Sequence, residues 1–409
     1  MGTETMDTLV IGAGQAGLAT SYWLNQAGIG HLLVDRRETL GGAWQDRWDS
    51  FRLVTPNFAL QLPGMPYDGP DPDALLGREA VIELFRGYAR RIDAPLRLGT
   101  EVTGLEVANG GFLVHSTGAS FAAHRVVLAT GPYQVPRLPE SSAGFPRTLR
   151  QLHSNAYRNP GQLPDGAVLV VGTGQSGTQI ASELLAAGRR VHLAVSSCAG
   201  APRSYRGRNL YWWLMQVLLR GPELGMKVPE VDDLPTPAAR FGCHEHLFDD
   251  SPRALAARGA VLHGKVLGVD GSTVRFGDDV AEKVAFAEAD FDVHLRPMFD
   301  AFAEATGLDL PQDPPVAGRG PVPEGEAGLD LEAEGIAAVV WATGYRLDFS
   351  WLGLPILDEW GYPRHRRGVT VQPGLYAIGL PWLHTEPSSV IPGVGPDAAH
   401  LVERMVAAG

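Results

Sequence analysis

A strand, a glycine-rich turn and a helix occur twice in this chain, about 160 residues apart, and no other feature restricts its fold as much. The first copy runs from Thr8-Leu9-Val10-Ile11 into Gly12-Ala13-Gly14-Gln15-Ala16-Gly17, with a helical pattern from Leu18 to Ala27. The second runs from Val168-Leu169-Val170-Val171 into Gly172-Thr173-Gly174-Gln175-Ser176-Gly177, with a helical pattern from Thr178 to Ala187. In G-x-G-x-x-G the first glycine makes the tight turn, the second lets backbone reach a pyrophosphate, and the third lets helix and strand pack closely. The helix N-terminus then offers N–H donors and positive potential to the phosphates. Two such units imply two dinucleotides, with electrons expected to pass between them.

The glycine spacing alone is weak, because 50 glycines in 409 residues give roughly 0.7 chance matches. The context is what chance does not supply: both hits sit between a strand and a helix. Two later strands also end alike, Val126-Val127-Leu128-Ala129-Thr130-Gly131 and Val339-Val340-Trp341-Ala342-Thr343-Gly344-Tyr345. Small residues at such ends let a loop lie flat beside a cofactor or pass between domains. The fold class expected is α/β, with two Rossmann-like dinucleotide-binding domains.

Composition sets the outer limits. A chain of 409 residues allows two to three domains with sizeable cores. A formal net charge of −12 repels polyphosphate and argues against a nucleic-acid partner. The N-terminus has no basic n-region and enters a nucleotide strand at once, so a cytoplasmic location is expected. The apolar run Leu210 to Leu219 would reach about 15 Å as a helix, half of the roughly 30 Å of a bilayer core, so no membrane span is expected. Only Cys198 and Cys243 occur, without a C-x-x-C, and neither a disulfide framework nor a redox-active dithiol is indicated. Electrons must therefore leave by another route than a close cysteine pair.

Along the chain, Asp35 closes the strand His31-Leu32-Leu33-Val34-Asp35 about twenty residues past the first glycines, where a carboxylate binds a ribose hydroxyl; the plainer reading is a turn residue. Strands are expected at Leu96–Leu98, Val102–Val107 and Phe112–His115, and a helix over Glu79 to Arg91. The corresponding strand of the second unit, Val191-His192-Leu193-Ala194-Val195-Ser196-Ser197, ends without Asp or Glu. Ser196, Ser197 and Arg203, with Arg206 and Arg208 behind them, can donate to a 2′-phosphate, which favours NADPH over NADH. A helical insertion is expected near 281–307, then a Pro/Gly-rich connector from Leu310 to Gly328. The strand at Val339 is expected to return the chain to the first domain, with a closing strand Leu375-Tyr376-Ala377-Ile378-Gly379 and a last loop and helix from Gly393 to Met405.

With these motifs in place, the chain resembles the class B flavin-dependent monooxygenases, the flavin-containing and YUCCA-like group, in a bacterial subgroup. The resemblance rests on both glycine motifs, on Gly41-Gly42-Ala43-Trp44, on Ala342-Thr343-Gly344-Tyr345, and on His153 and Tyr157 of the family fingerprint F-x-G-x-x-x-H-x-x-x-[Y/F]. Arg147 and Leu149 replace the fingerprint's Phe and Gly, and Tyr157-Arg158 lacks the Trp-Pro ending of Baeyer–Villiger relatives. The resemblance implies an FAD domain over 1–160 and 330–409, interrupted by an NADPH domain over 161–329. It places Gly12, Gly14, Gln15, Ala16, Gly17, Asp35, Arg36, Gly42, Trp44, Trp48, Asn57, Val102, Ala129, Thr130, Gly131, Gly379, Val394 and Gly395 at FAD. It places Gly172, Gly174, Gln175, Ser176, Gly177, Ser196, Ser197, Arg203, Ala342, Thr343, Gly344 and Tyr345 at NADPH.

The activity so implied is insertion of one oxygen from O2 into a small organic substrate, N- or S-oxygenation being favoured, through a flavin C4a-hydroperoxide that Asn57 helps to stabilise. Two alternatives stay open: an NAD(P)H-dependent flavin reductase serving a quinone or protein acceptor, and decarboxylating oxygenation of a 2-oxo acid. Cys243-His244-Glu245-His246 and His384-Thr385-Glu386 are read as loop and flavin-border residues, with no metal expected. Trp212-Trp213 are either a buried helix face or an apolar wall of a substrate channel.

Overall fold

The strand Ala167–Val171 is buried at all five positions, as a parallel strand covered on both faces must be. It lies at the centre of one of the two larger sheets in the computed structural model, which describes residues 2–236, 239–240, 246–312 and 324–408. The helices are α1 (Gln15–Gln26), α2 (Arg78–Arg91), α3 (Gln175–Ala186), α4 (Leu210–Arg220), α5 (Pro252–Ala257), α6 (Val280–Asp290), α7 (Arg296–Thr306) and α8 (Ile391–Ala407).

The first sheet contains β1 (Thr3–Ile11), β2 (His31–Val34), β3 (Leu96–Arg97), β4 (Val102–Ala108), β5 (Gly111–Ser116) and β6 (Ser120–Leu128), with three later strands. Its order is His365–Arg366, Val369–Thr370, Leu375–Ala377, β6, β1, β2, β3, and β4 and β5 form a hairpin attached to β6. The run from Leu375–Ala377 through β6, β1 and β2 to β3 is parallel, with Ile11 opposite both Val34 and Leu128. The second sheet is wholly parallel, in the order Val261–His263, Val191–Ala194, Ala167–Val171, Ile336–Trp341, Arg150–His153. The α/β class with two Rossmann-like units is therefore what the chain forms.

One expectation is corrected. The strand around Val339 does not return the chain to the first sheet; Ile336–Trp341 lies between Ala167–Val171 and Arg150–His153 in the second. The second sheet thus draws on residues 150–341, more than the 161–329 segment, and the chain crosses back only after Trp341. The outgoing and returning crossings are tied to each other: Val135–Pro136 pairs antiparallel with Tyr345–Arg346, and the Arg137 N–H donates to the Gly344 carbonyl at 2.9 Å. A strand read by itself shows which residues are apolar but not which sheet receives them, because both sheets bury their central strands equally.

The helical insertion forms as α6, a π-helical turn over Phe291–Leu295, and α7. It packs on α4 through a second core of Tyr205, Trp213, Val217, Phe291, Phe299 and Phe302. Trp213 is fully buried, stacks on Phe299 at 5.3 Å, and donates its indole N–H to the Tyr205 carbonyl at 2.8 Å. Trp212 carries the Arg208 guanidinium over its ring. The tryptophan pair is core and surface, not channel wall. Among the described residues no helix is long and apolar enough to cross a membrane.

Cys198 is buried and disulfide-bonded, a bond that two cysteines without a C-x-x-C did not indicate. Cys243, His244 and Glu245 lie outside the described residues, as does most of the Pro/Gly-rich connector.

Replacing Trp213 by Ala is expected to cost about 3–5 kcal/mol, the range for deleting a buried aromatic. Trp212→Ala is expected to cost less than about 1 kcal/mol. Urea-unfolding midpoints of the two variants, followed by far-UV dichroism, check the difference.

Candidate active site: two nucleotide crevices opening into one cavity

In each sheet the chain leaves the glycine strand toward one neighbour and finds a later strand on the other side. In open α/β sheets this switch point is where ligands bind, beyond the carboxyl ends of the strands. The two switch points are alike to within tenths of an ångström. Gly12 has φ +112°, and a Cβ there would lie 2.4 Å from the Ala129 carbonyl oxygen. Gly172 has φ +108°, and its Cβ would lie 2.4 Å from the Ala342 carbonyl oxygen. At Gly17 and at Gly177 a Cβ would lie 1.9 Å from the carbonyl oxygen of Gly12 and Gly172 respectively. The two A-T-G strand ends therefore press directly on the two glycine turns, and only glycine fits.

The middle glycines differ. Among the described residues Gly14 has nothing within 4 Å of a would-be Cβ, and it lines the cavity, which leaves room there for a ligand's close approach. Gly174 also lines the cavity, directly ahead of α3. Neither α1 nor α3 is capped by a side chain or carries an acid in its first turn, which leaves N–H donors for a bound anion. Both crevices open into one cavity of about 1580 Å³, above the roughly 300–1,000 Å³ of a single small-ligand pocket.

At the ends of the second strands the two units part chemically. The Asp35 carboxylate accepts the Ala13 N–H at 2.8 Å and the Arg37 N–H at 2.9 Å, and still has lone pairs for a ribose diol. In the second unit the Ser196 hydroxyl takes the same place, accepting the Thr173 N–H at 3.0 Å. Ser196 and Ser197 line the cavity, as expected, but Arg203 does not: it is paired with Asp249 at 3.0 Å. Arg206 is likewise paired with Asp300 at 3.1 Å. The cations that do line this end are Lys265 and Lys283. Lys283 is 9% exposed and bonds the Val195 carbonyl at 2.9 Å and the Asp279 carboxylate at 2.7 Å. Lys265 follows the strand that receives Val195 and is exposed. Sequence spacing could not find either lysine, since both come from beyond residue 260; Lys283 comes from α6, and its Nζ reaches the Val195 carbonyl, next to Ser196 in the chain.

Of the residues expected at the first nucleotide, Gly12, Gly14, Gln15, Ala16, Asp35, Arg36, Gly42, Trp44, Trp48, Val102, Ala129, Thr130, Gly131 and Gly379 line the cavity. Asn57 does not. It is 3% exposed, and its side-chain amide donates to the Asp71 carbonyl at 2.9 Å and the Tyr67 hydroxyl at 3.2 Å. Its expected stabilising role has no donor left to serve it. Val394 and Gly395 also stand back, inside α8, while Val390, Ile391 and Pro392 ahead of them form the wall. Of the residues expected at the second nucleotide, Gly172, Gly174, Gln175, Ser176, Ser196, Ser197, Ala342, Thr343, Gly344 and Tyr345 line the cavity.

The fingerprint residues work behind the wall. The His153 ring bonds the Gly344 carbonyl through Nε2 at 2.9 Å and meets Tyr345 edge-on, and burial pushes its pKa down, so it is a neutral donor. The Tyr157 hydroxyl donates to Glu183 of α3 at 2.7 Å. Among the described residues no cluster of His, Cys, Asp or Glu could hold a metal; His246 is buried, and His384 faces Glu230 at 3.4 Å.

Residues 9–210 match a family model described as pyridine nucleotide-disulphide oxidoreductase. A CzcO-like oxidoreductase of Geobacillus kaustophilus is 31% identical over 404 residues, covering 97% of each chain. The indole-3-pyruvate monooxygenase YUCCA6 of Arabidopsis thaliana is 27% identical over 318 residues, covering 73% of this chain and 75% of its own. Among solved structures, a flavin-containing monooxygenase from Stenotrophomonas maltophilia superposes with a TM-score of 0.70 at 19% identity over 99% of both chains, a likeness of fold.

The steric contrast between the glycines predicts two kinds of variant. Gly17→Ala is expected to destabilise the whole first unit, lowering the melting temperature by several degrees. Gly14→Ala is expected to leave the melting temperature of the ligand-free protein within about a degree and to weaken nucleotide retention at least tenfold. Thermal melts and nucleotide content after gel filtration distinguish the two.

Proposed function

Because the chain belongs to the CzcO-like oxidoreductases, and with them to the class B flavin-dependent monooxygenases, we propose that it uses FAD and NADPH to place one atom of O2 in a small organic substrate, nitrogen or sulfur being the favoured acceptor. One observation carries this reading: two nucleotide crevices of the same build, one ending in a carboxylate and the other in serines and lysines, face a single cavity. A hydride donor and an acceptor can meet only in such a shared space. When bound, FAD supplies the oxygen chemistry and NADPH the hydride.

The residues have separable tasks. Gly12, Gly14 and the first turn of α1 take the FAD pyrophosphate, and Asp35 takes the adenosine ribose. Gly172, Gly174 and the first turn of α3 take the NADPH pyrophosphate. Ser196 and Ser197 donate to the 2′-phosphate, and Lys265 and Lys283 supply the charge that Arg203 was expected to give. Trp44, Trp48 and Phe51 wall the cavity with rings and exclude water from the place where the two nucleotides meet. The Gln15 amide donates to the Ser389 carbonyl at 2.7 Å, tying the FAD helix to the segment ahead of α8. The crossing ribbon, with its Arg137–Gly344 and His153–Gly344 hydrogen bonds, sets the distance between the two crevices.

The reading predicts a yellow protein holding one FAD per chain that oxidises NADPH and, with an accepted substrate, yields a product heavier by one oxygen. A colourless protein that stays free of FAD when the cofactor is supplied refutes it. A protein that oxidises NADPH only in the presence of a quinone, with no oxygenated product, makes it a reductase instead.

The lysines predict cofactor choice. Lys265→Ala and Lys283→Met are each expected to weaken NADPH binding about 10- to 100-fold, the range for one charge-assisted hydrogen bond, and to leave NADH binding within about twofold. Equilibrium titration of cofactor fluorescence checks it, and the exposed Lys265 serves where the buried Lys283 variant folds poorly.

A further inference from the structure

The cavity wall holds a buried positive charge that nothing in the described chain neutralises. Arg47 is 7% exposed, and its Nε has no hydrogen-bond partner among the described residues. Its guanidinium makes no ion pair among the described residues, and the acids beside it in sequence are engaged elsewhere, Asp46 by Arg37 and Asp49 by Arg78. Three rings surround it: Tyr133 with its centroid at 4.6 Å, Trp44 at 5.6 Å and Phe51 at 5.8 Å. Arg47 and all three rings line the cavity.

An unpaired buried cation is costly, and buried charges are as a rule paired. Cation–π contacts offset part of the cost and hold the guanidinium plane in place. They leave its N–H groups without an acceptor, and a planar fork of such donors matches a carboxylate.

The location narrows what that acceptor is. Tyr133 follows Gly131 on the outgoing crossing, and Tyr345, which meets Tyr133 edge-on at 5.1 Å, follows Gly344 on the returning one. Arg47 therefore stands where the two units meet, which is where an oxygenation substrate must come. The two pyrophosphates already have their own receptors in the uncapped first turns of α1 and α3.

We infer that Arg47 is a substrate-anchoring residue, and that the cavity selects an organic acid whose carboxylate pairs with the guanidinium while its apolar or aromatic body lies against Trp44, Phe51 and Tyr133. A molecule of the same shape without a carboxylate leaves the buried charge unpaired and is disfavoured, whichever atom of it, nitrogen or sulfur, takes the oxygen. The inference rests on the monooxygenase reading only for taking the cavity to be the substrate site.

The test is equilibrium binding to the oxidised holoenzyme, read by perturbation of the flavin absorbance. Benzoate, phenylacetate and 3-phenylpropanoate are titrated beside the matching amides, into wild type, Arg47→Met and Arg47→Lys. The expected result is at least one acid bound roughly 10- to 100-fold tighter than its amide, the preference abolished in Arg47→Met and partly kept in Arg47→Lys, with FAD retention and NADP+ affinity within about twofold of wild type. Equal binding of acids and amides, no acid bound across the series, or a preference that survives Arg47→Met overturns it. So does a loss in Arg47→Met that falls on NADP+ affinity or FAD retention instead, because the guanidinium then reads a nucleotide phosphate. A holoenzyme that oxidises NADPH but ignores acids defeats this inference alone, whereas a protein that holds no FAD defeats the monooxygenase reading.

Discussion

The architecture depends on two backbone contacts in which a strand end lies flat against a glycine turn, Ala129 on Gly12 and Ala342 on Gly172. At each, an added Cβ would come within 2.4 Å of a carbonyl oxygen, so the sequence on both sides of the contact is restricted. The glycine must take a positive φ that other residues rarely adopt, and the facing strand must end in small residues. That close approach opens a crevice at the switch point of each sheet and sends the chain from one unit to the other at the place where a nucleotide would lie. Binding and domain connection are therefore one construction, and the paired crossing strands Val135–Pro136 and Tyr345–Arg346 make the link between the units a ribbon.

The charge pattern within this frame is uneven. The chain carries a net −12, yet two of the cations lining the cavity have been brought inward, Arg47 among rings and Lys283 against the Val195 carbonyl, with Lys265 exposed at the rim. Overall acidity sets solubility and repels polyanions at long range, while a few buried cations govern what enters the site. Lys283 is accommodated by an acid and a carbonyl, and Arg47 by π faces alone. The two arrangements suit different ligands: a phosphate that adds to an existing polar network, and a carboxylate that completes one.

Much of this was legible in the chain. The two glycine motifs, the A-T-G strand ends, Asp35 against Ser196, the helical insertion and the closing helix all follow from local rules, because each concerns residues within one turn or one strand. The failures share a cause. Arg203 and Asn57 have the right chemistry at plausible positions, but neither lines the cavity: the Arg203 Nε is turned to Asp249, and the Asn57 amide donates to the Asp71 carbonyl and Tyr67. Val394 lies on the helix that approaches the cavity, one turn too deep. Trp213 is as apolar as a channel wall would be, and it stacks on Phe299, contributed by a helix more than eighty residues later.

Sequence alone determined the kind of fold and the number of nucleotides, since strand, turn and helix spacing are properties of contiguous residues and the glycines admit few other uses. Only the tertiary structure decided which sheet took the strand Ile336–Trp341, which cations remained available, and that Arg47 stands between the two units with no ion-pair partner among the described residues. These are matters of competition among distant groups for the same hydrogen bonds and the same buried space. No local pattern records who wins such a competition, because the winner depends on what the fold brings alongside.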